Sequence, residues 1–381
     1  MRSFFISLFV ALLNCTVAES VPLKAFQVVE AESFVKACEI ENRVPLNLQG
    51  KTLPDWMLAN IQEEVSKFQP FTVEEIEHLF ATSWRLLFYF RIREGKVYVS
   101  CNMDGIFPPL TEYTGAILKL LKQPGCHIKT GDFLIDAADT AAEQRSELPL
   151  LCFSKYLSSN YILIPDGFAI WNERLDIMRA VDEALQKFSW ESKIEKAFWI
   201  GAPNGPLLED SSLWKTGPRC QLVFFSLDHP ALAWARFCPF LDEERFCKEM
   251  IQARPYIYSE RISQYEACKY KYLIDVDGWG AGFHRCQWVL RSDSVSIKQK
   301  GLNVQWYYPG LISYVHYVPY ESDCSDLEEV IMWLKSHDEE ARKIALNGRQ
   351  FALDYINNDM IYLYLYQVLI HYNLLNLSIK Q

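Results

Sequence analysis

Apolar positions recur along this chain at two spacings. Residues 54 to 82 follow the helical one, with Thr72 and Glu75 spelling a capping box ahead of an apolar face. Trp84 to Ile92 and Lys96 to Cys101 flank Glu94-Gly95, which predicts a hairpin. Short apolar runs at Phe133 to Ile135, Leu150 to Phe153 and Tyr161 to Ile164 predict buried strands of one sheet. A helix follows, with Leu175, Met178, Val181, Leu185 and Phe188 on one face. Further strands are predicted at Ala197 to Ile200, Leu222 to Phe225, Tyr272 to Val276 and Val295 to Ile297. Helical stretches lie between them, the alternation that builds a largely parallel sheet. Ser325 with Glu328 and Ser336 with Glu339 predict capping boxes before helices reaching about Tyr355. Asp359 opens a last helix ending near Leu377.

At 381 residues the chain exceeds what one hydrophobic core organises, so two lobes are expected, with chemistry in a cleft between them. A net charge of -10 without a Lys/Arg block argues against nucleic acid as the partner. Arg2, the apolar run Phe4 to Leu13 and the small residues Thr16-Val17-Ala18 read as a secretory leader, and no later segment is apolar enough to span a membrane. Cleavage there leaves ten cysteines, which permit disulfides but contain no C-x-x-C pair and no zinc spacing. Asn376-Leu377-Ser378 is a glycosylation sequon.

The stretch from Lys269 to Arg285 carries the densest chemistry. A buried strand feeds Gly278, Gly280 and Gly282 and then a helix, a geometry that brings backbone N–H groups against a phosphate. Asp275 and Asp277 share one face of that strand and offer a second possibility, a divalent metal. Asp139 follows the strand Phe133-Leu134-Ile135, where open α/β sheets place ligands; a carboxylate there can serve as the base that a hydroxyl nucleophile needs. Aromatic residues at Trp306 to Tyr308 and Tyr314 to Tyr320 suit packing better than sugar stacking, and His316 has no second metal ligand at the right spacing.

Several ordered blocks resemble one family. Lys269 to Asp277 with the glycine loop, Ser292 to Gln299, Trp306 to Leu311 and His316 to Pro319 are similar to the C-terminal half of the family 90 glycosyltransferases, which include the protein O-glucosyltransferases. Lys196 to Pro203 resembles the family's aromatic-Arg-Gly segment, and Pro149 to Lys155 with Ile164-Pro165-Asp166 its central part, so the similarity runs from about residue 84 to 375. The resemblance implies an α/β, GT-B-like fold of two Rossmann-like lobes with an inter-lobe cleft. With the leader at 1–18, the expected organisation is an acceptor-side lobe at 19–172, a nucleotide-sugar lobe at 173–355 and a helix at 356–381 packing back on the first lobe. The resemblance further implies inverting, metal-independent transfer of a sugar of the glucose or xylose class, from a UDP-sugar to a hydroxyl of a protein or glycan. Asp139 matches the family's catalytic aspartate; Gly201, Ala202, Trp279, Gly280, Ala281, Gly282, Phe283, His284 and Arg285 fall in its nucleotide-sugar segments. No cofactor beyond the donor substrate is expected, and the chain should be a monomer. Its setting should be a secretory-pathway lumen in a eukaryote, or exported or membrane-peripheral in a bacterium acting on capsule or lipopolysaccharide.

Two positions depart from the family pattern. Ile200 stands where the enzymes carry Arg, and Gly282-Phe283-His284 where their loop ends in Ser-x-Arg, with Arg285 one position later. Arg285, Arg291 or a protonated His284 are the candidates for restoring the charge. An inactive homologue that binds saccharide or protein is the alternative.

Overall fold

A computed structural model describes residues 24–38, 42–105, 107–139, 145–205, 210–239 and 247–376. The leader and the end of the sequon fall outside them. The chain divides into two units: unit 1 gathers the residues up to Asn172, Val304–Gly310 and the residues from Asn358 on, and unit 2 the rest.

Unit 1 is a mixed sheet with helices packed on it. Its strands are β1 (Val29–Glu30), β2 (Leu87–Arg93), β3 (Lys96–Cys101), β4 (Gly131–Asp136), β5 (Leu151–Cys152) and β6 (Ile162–Leu163), in the order β1-β3-β2-β4-β5-β6. The expected hairpin is β2–β3. Its turn puts Glu94 and Gly95 at φ of 52° and 80°, the left-handed pair that matches the twist of the flanking strands. The helical span from 54 splits into α1 (Asp55–Ser66) and α2 (Val73–Thr82) around Pro70, which cannot donate to a helical ladder. The Thr72 box forms as expected: the Thr72 amide donates to Glu75 Oε2 at 2.6 Å, and the Glu75 amide to Thr72 Oγ1 at 3.1 Å. Helix α3 (Pro108–Leu121) escaped the pattern analysis because it is buried nearly all round and presents no polar stripe. The last helix, Asn358–Asn376, packs on α1 and β4; its Tyr372 ring lies 5.4 Å from Phe133, and its hydroxyl donates to Pro149 O at 2.8 Å.

Unit 2 holds helix α4 (Asn172–Lys187, which starts one residue inside unit 1) and a parallel five-stranded sheet. In chain order its elements are β7 (Ile194–Gly201), α5 (Pro218–Asp228), β8 (Ala233–Phe237), α6 (Lys248–Ile257), β9 (Tyr270–Asp275), α7 (Arg285–Arg291), β10 (Val295–Lys300), β11 (Val318–Glu321), α8 (Leu327–Ser336) and α9 (Asp338–Tyr355). The strand order is β11-β10-β9-β7-β8, and every pairing is parallel. Helix on both flanks and Val/Ile-rich buried strands account for the parallel arrangement.

Three expectations need correction. Leu222 to Phe225 is helix, not strand: Gly217-Pro218 sets the helix start with proline at its first position, and Cys220, Val223 and Ser226 bury one face at a spacing of three. The neighbouring strand is Ala233–Phe237, where Ala233, Ala235 and Phe237 alternate inward; two of the three are alanines, too small to mark the period. Neither later capping box forms. Asp326 and His337 occupy the cap positions without side-chain caps, and the Ser336 hydroxyl bonds back to Trp333 O at 3.0 Å. Finally, Val304–Gly310, expected within the 173–355 lobe, clusters with unit 1, because Trp306 and Tyr307 are fully buried there and Trp306 packs 4.8 Å from Tyr364.

All ten cysteines from Cys38 onward are free thiols. Among the described residues no helix is long and apolar enough to cross a membrane.

Candidate active site

Strand order locates the first part of the site. In unit 2 the chain moves outward from β7 to β8, then returns to the other side of β7 to lay down β9, β10 and β11 in succession. The reversal leaves a crevice beyond the carboxyl ends of β7 and β9, the place where open parallel sheets bind ligands. Gly201 and Ala202 stand at the end of β7, and Asp275 to Gly282 at the end of β9.

The glycine turn is held from inside. The Gly278 amide donates to Gly280 O at 3.0 Å, and the Gly282 amide to Asp277 Oδ1 at 3.2 Å. Asp277 also accepts from Asn303 Nδ2 at 3.0 Å, and its own amide donates to Gln299 Oε1 at 2.8 Å. Two of the glycines stand close against side chains, with Asn204 Oδ1 2.4 Å from a Cβ placed on Gly278. A Cβ on Gly282 would lie 2.5 Å from Asp275 Oδ1, and one on Gly278 would meet Arg219 Nη2 at 2.8 Å. Asp275 is fully buried and pairs with Lys298 Nζ at 3.2 Å. The Lys298 ammonium engages Asp275 Oδ2, the Asp275 Oδ1 is buried without a hydrogen-bond partner, and Asp277 accepts two N–H donors. Among the described residues no cluster of three or more His, Cys, Asp or Glu is disposed to hold a metal.

Two guanidiniums flank this turn, and sequence reasoning named only one. Arg219, second residue of α5, donates Nε to Asp277 O at 3.0 Å and Nη1 to Ala202 O at 2.8 Å, tying the ends of β7 and β9 together. Arg285, first residue of α7, donates to the carbonyl of Ile200. Each guanidinium lies 5.6 Å from the ring of buried Trp199. Burial and then the Arg285 charge push Arg219 down to about 10, while Asp277 opposes the shift. Two half-buried like charges bonded to main-chain carbonyls form a cationic corner that an anion would relieve. Arg285 thus places a guanidinium at the strand end where Ile200 stands.

The other two candidates stand in different surroundings. Arg291 is committed to Asp182 through a bidentate pair at 2.8 and 2.7 Å. His284 is driven by burial, and next by Arg285 and Arg261, down to about 3, which favours the neutral ring. Its ring lies 5.7 Å from that of Phe283, and Trp279 beside them is half-buried, as is Phe283; Ala281 is buried.

Unit 1 carries the remaining candidate. Asp139 stands three residues beyond the end of β4, where it was expected. Asp136, the last residue of that strand, is buried, pairs with Arg85, and accepts the Ala138 amide at 3.1 Å. That bond braces the turn presenting Asp139. The Asp139 carboxyl is half-buried, and burial pushes it up to about 7. Arg219, Arg85 and Asp136 were missed in the sequence; the Gly217-Pro218-Arg219 helix start was the available signal for the first. His316 is structural: its Nδ1 accepts the Ile312 amide at 3.0 Å and its ring packs 5.0 Å from Phe351.

The sequence model of Glycosyl transferase family 90 matches residues 51–380. Protein O-glucosyltransferase 2 of Danio rerio is 29% identical over 81% of this chain and 60% of its own length. Protein O-glucosyltransferase 3 of Homo sapiens is 30% identical over 63% of this chain and 46% of its own length, so the match spans about half to three fifths of these relatives. Among solved structures, a glycosyltransferase from Rickettsia africae superposes with a TM-score of 0.40 at 9% identity, covering 91% of this chain and 88% of that one. The family match covers most of the sequence and includes the strand, glycine turn and α7 of unit 2 as well as β4 and Asp139 of unit 1: this chain belongs to glycosyltransferase family 90.

Proposed function

We propose that the chain transfers a sugar of the glucose or xylose class from a UDP-sugar to a hydroxyl of a protein or glycan, with inversion and without a metal. The two units act as the lobes of a GT-B-like enzyme, unit 2 holding the donor and unit 1 supplying the base. The observation that carries this reading is the cationic corner at the strand-order reversal of unit 2, where Arg219 and Arg285 flank the glycine turn.

The chemistry follows from those groups. Asp139 takes the proton of the acceptor hydroxyl as its oxygen bonds to the anomeric carbon, a task suited to a carboxyl titrating near 7. As the C1–O bond to phosphate breaks, charge builds on the diphosphate. Arg219 and Arg285 offset it without the reorganisation that water would need. UDP, and not a protein-bound cofactor, is the group released. The relatives' names make a protein hydroxyl one acceptor class, and a nucleotide-sugar supply favours an endomembrane lumen as the setting.

Isothermal titration with UDP in EDTA tests the donor site: binding is expected, and failure to bind without metal rejects the reading. Mass spectrometry after incubation with a panel of UDP-sugars tests turnover, with free sugar from hydrolysis counted as positive. Ile200 supports a second reading, a homologue that binds saccharide or protein without turnover. It predicts UDP-sugars left intact by the wild-type chain.

A further inference from the structure

Unit 1 also contains a cavity of about 900 Å³ that the steps above do not use. Its wall comes from the α1–α2 break and α2, from Ser83 to Arg85 entering β2, from residues 145–150 leading into β5, and from Tyr161. Strand register ties it to the candidate base. Leu87 lies opposite Asp136, and the Ala137 amide donates to Leu86 O at 2.9 Å, so Arg85 of the cavity wall comes alongside Ala138, the neighbour of Asp139. The Arg85–Asp136 pair crosses from the wall to that strand end.

The lining is chemically particular. Trp84 is 63% exposed although it lines a concavity, and Phe71 and Tyr161 add two more rings. Arg85 is neutralised by Asp136, and Glu75 keeps its charge while accepting the Thr72 amide at 2.6 Å. Arg145 faces the same space as Glu74 and Glu147, so no cationic excess is available for a phosphate. Aromatic side chains interleaved with the Gln69 amide, the Thr82, Ser83 and Ser146 hydroxyls and an excess of carboxylate acceptors suit a ligand that is apolar on its ring faces and carries hydroxyl donors at its edges. The volume falls within the range of roughly 300–1,000 Å³ typical of small-molecule sites. A folded protein partner would instead use a surface patch of about 800 Å².

We propose that this cavity binds a short neutral oligosaccharide of roughly two or three pyranose rings, stacked on Trp84, and that this saccharide is the glycosyl acceptor. Its identification as acceptor rests on Asp139 being the base; its binding does not.

The test uses the full chain. Cellotriose, maltotriose and xylotriose are titrated calorimetrically and by saturation-transfer NMR, beside a disulfide-bonded protein module bearing an exposed serine. At least one trisaccharide is expected to bind, with Trp84→Ala weakening it about tenfold, the loss expected for one stacked ring, and Trp84→Phe restoring most of it. Melting temperature serves as the folding control, since Trp84 is largely outside the core. Three results overturn the proposal: no trisaccharide binds, one binds equally well to Trp84→Ala, or only the protein module binds in a Trp84-dependent way. A parallel UDP titration separates the two claims. UDP binding without saccharide binding removes this inference alone, whereas saccharide binding without UDP binding supports the cavity and removes the donor-site reading.

Discussion

If Asp139 is the base, turnover should climb steeply through neutrality. Burial holds its carboxyl at about 7 rather than the ordinary 3.8, so protons leave it late. With kcat/KM following the ionised fraction, about 3% of the enzyme is competent at pH 5.5 and about 90% at pH 8, a rise of roughly 30-fold. A carboxyl at its ordinary value is more than about 95% ionised at both pH values and gives a flat profile. The same burial also works against folding. Between 3.8 and about 7 the folded state binds more protons at this group than the unfolded chain, so its contribution to stability is full below 3.8 and lost as pH rises through 7. Asp139→Asn, which cannot ionise, should therefore melt higher than wild type at pH 8 and equally at pH 4. The gain is at most about 4 kcal/mol, reduced by the solvent that reaches a half-buried carboxyl. It should also lose about 10²- to 10⁴-fold in turnover. A UDP-release assay from pH 5 to 9 and a parallel melting series measure both effects. An ascending limb at or below pH 5, or an Asn variant that keeps its rate, would show that the proton leaves by another route.

The other predictions concern unit 2. Arg219→Met removes one charge-assisted phosphate contact, worth about 1.5–3 kcal/mol, and should weaken UDP about 10- to 150-fold in calorimetry. Arg291→Met, which breaks only the Asp182 pair, should leave UDP affinity unchanged. Gly282→Ala sets a methyl 2.5 Å from buried Asp275 Oδ1 and should cost on the order of 1–3 kcal/mol in stability, read in the denaturant midpoint. Lys193, buried against Cys268 O, Ser292 O and Ser294 Oγ, is pushed down to about 8. Above that value the unfolded chain, near 10.5, binds the extra proton, so stability should rise with pH between 8 and 10.5 by up to about 3 kcal/mol. Lys193→Met should abolish that slope in denaturation series at pH 7.5, 9 and 10.

Much of unit 1's local structure and the glycine turn of unit 2 were legible because short-range physics sets them. Glu94-Gly95 needs only its own backbone preferences to turn, and Thr72 caps an amide three residues away. Spacing erred where several local patterns fit the same residues: Leu222 to Phe225 has strand-like composition but follows a proline-started helix, and two serines sit in box-like frames yet lie beside the true cap positions.

By itself, then, the sequence determined the α/β alternation, the three-glycine turn behind a buried strand, the strand-end place of Asp139 and the family. It could not say which cation answers the missing arginine at Ile200. Arg285, Arg291 and His284 are equivalent as letters, and Arg219 lies 58 residues from the turn it braces. Only the strand order, which returns β9 to the side of β7, brings α5 and α7, and with them Arg219 and Arg285, to one corner. Charge placement depends on three-dimensional neighbours, because the field of a buried guanidinium falls off with distance through the fold and not along the chain.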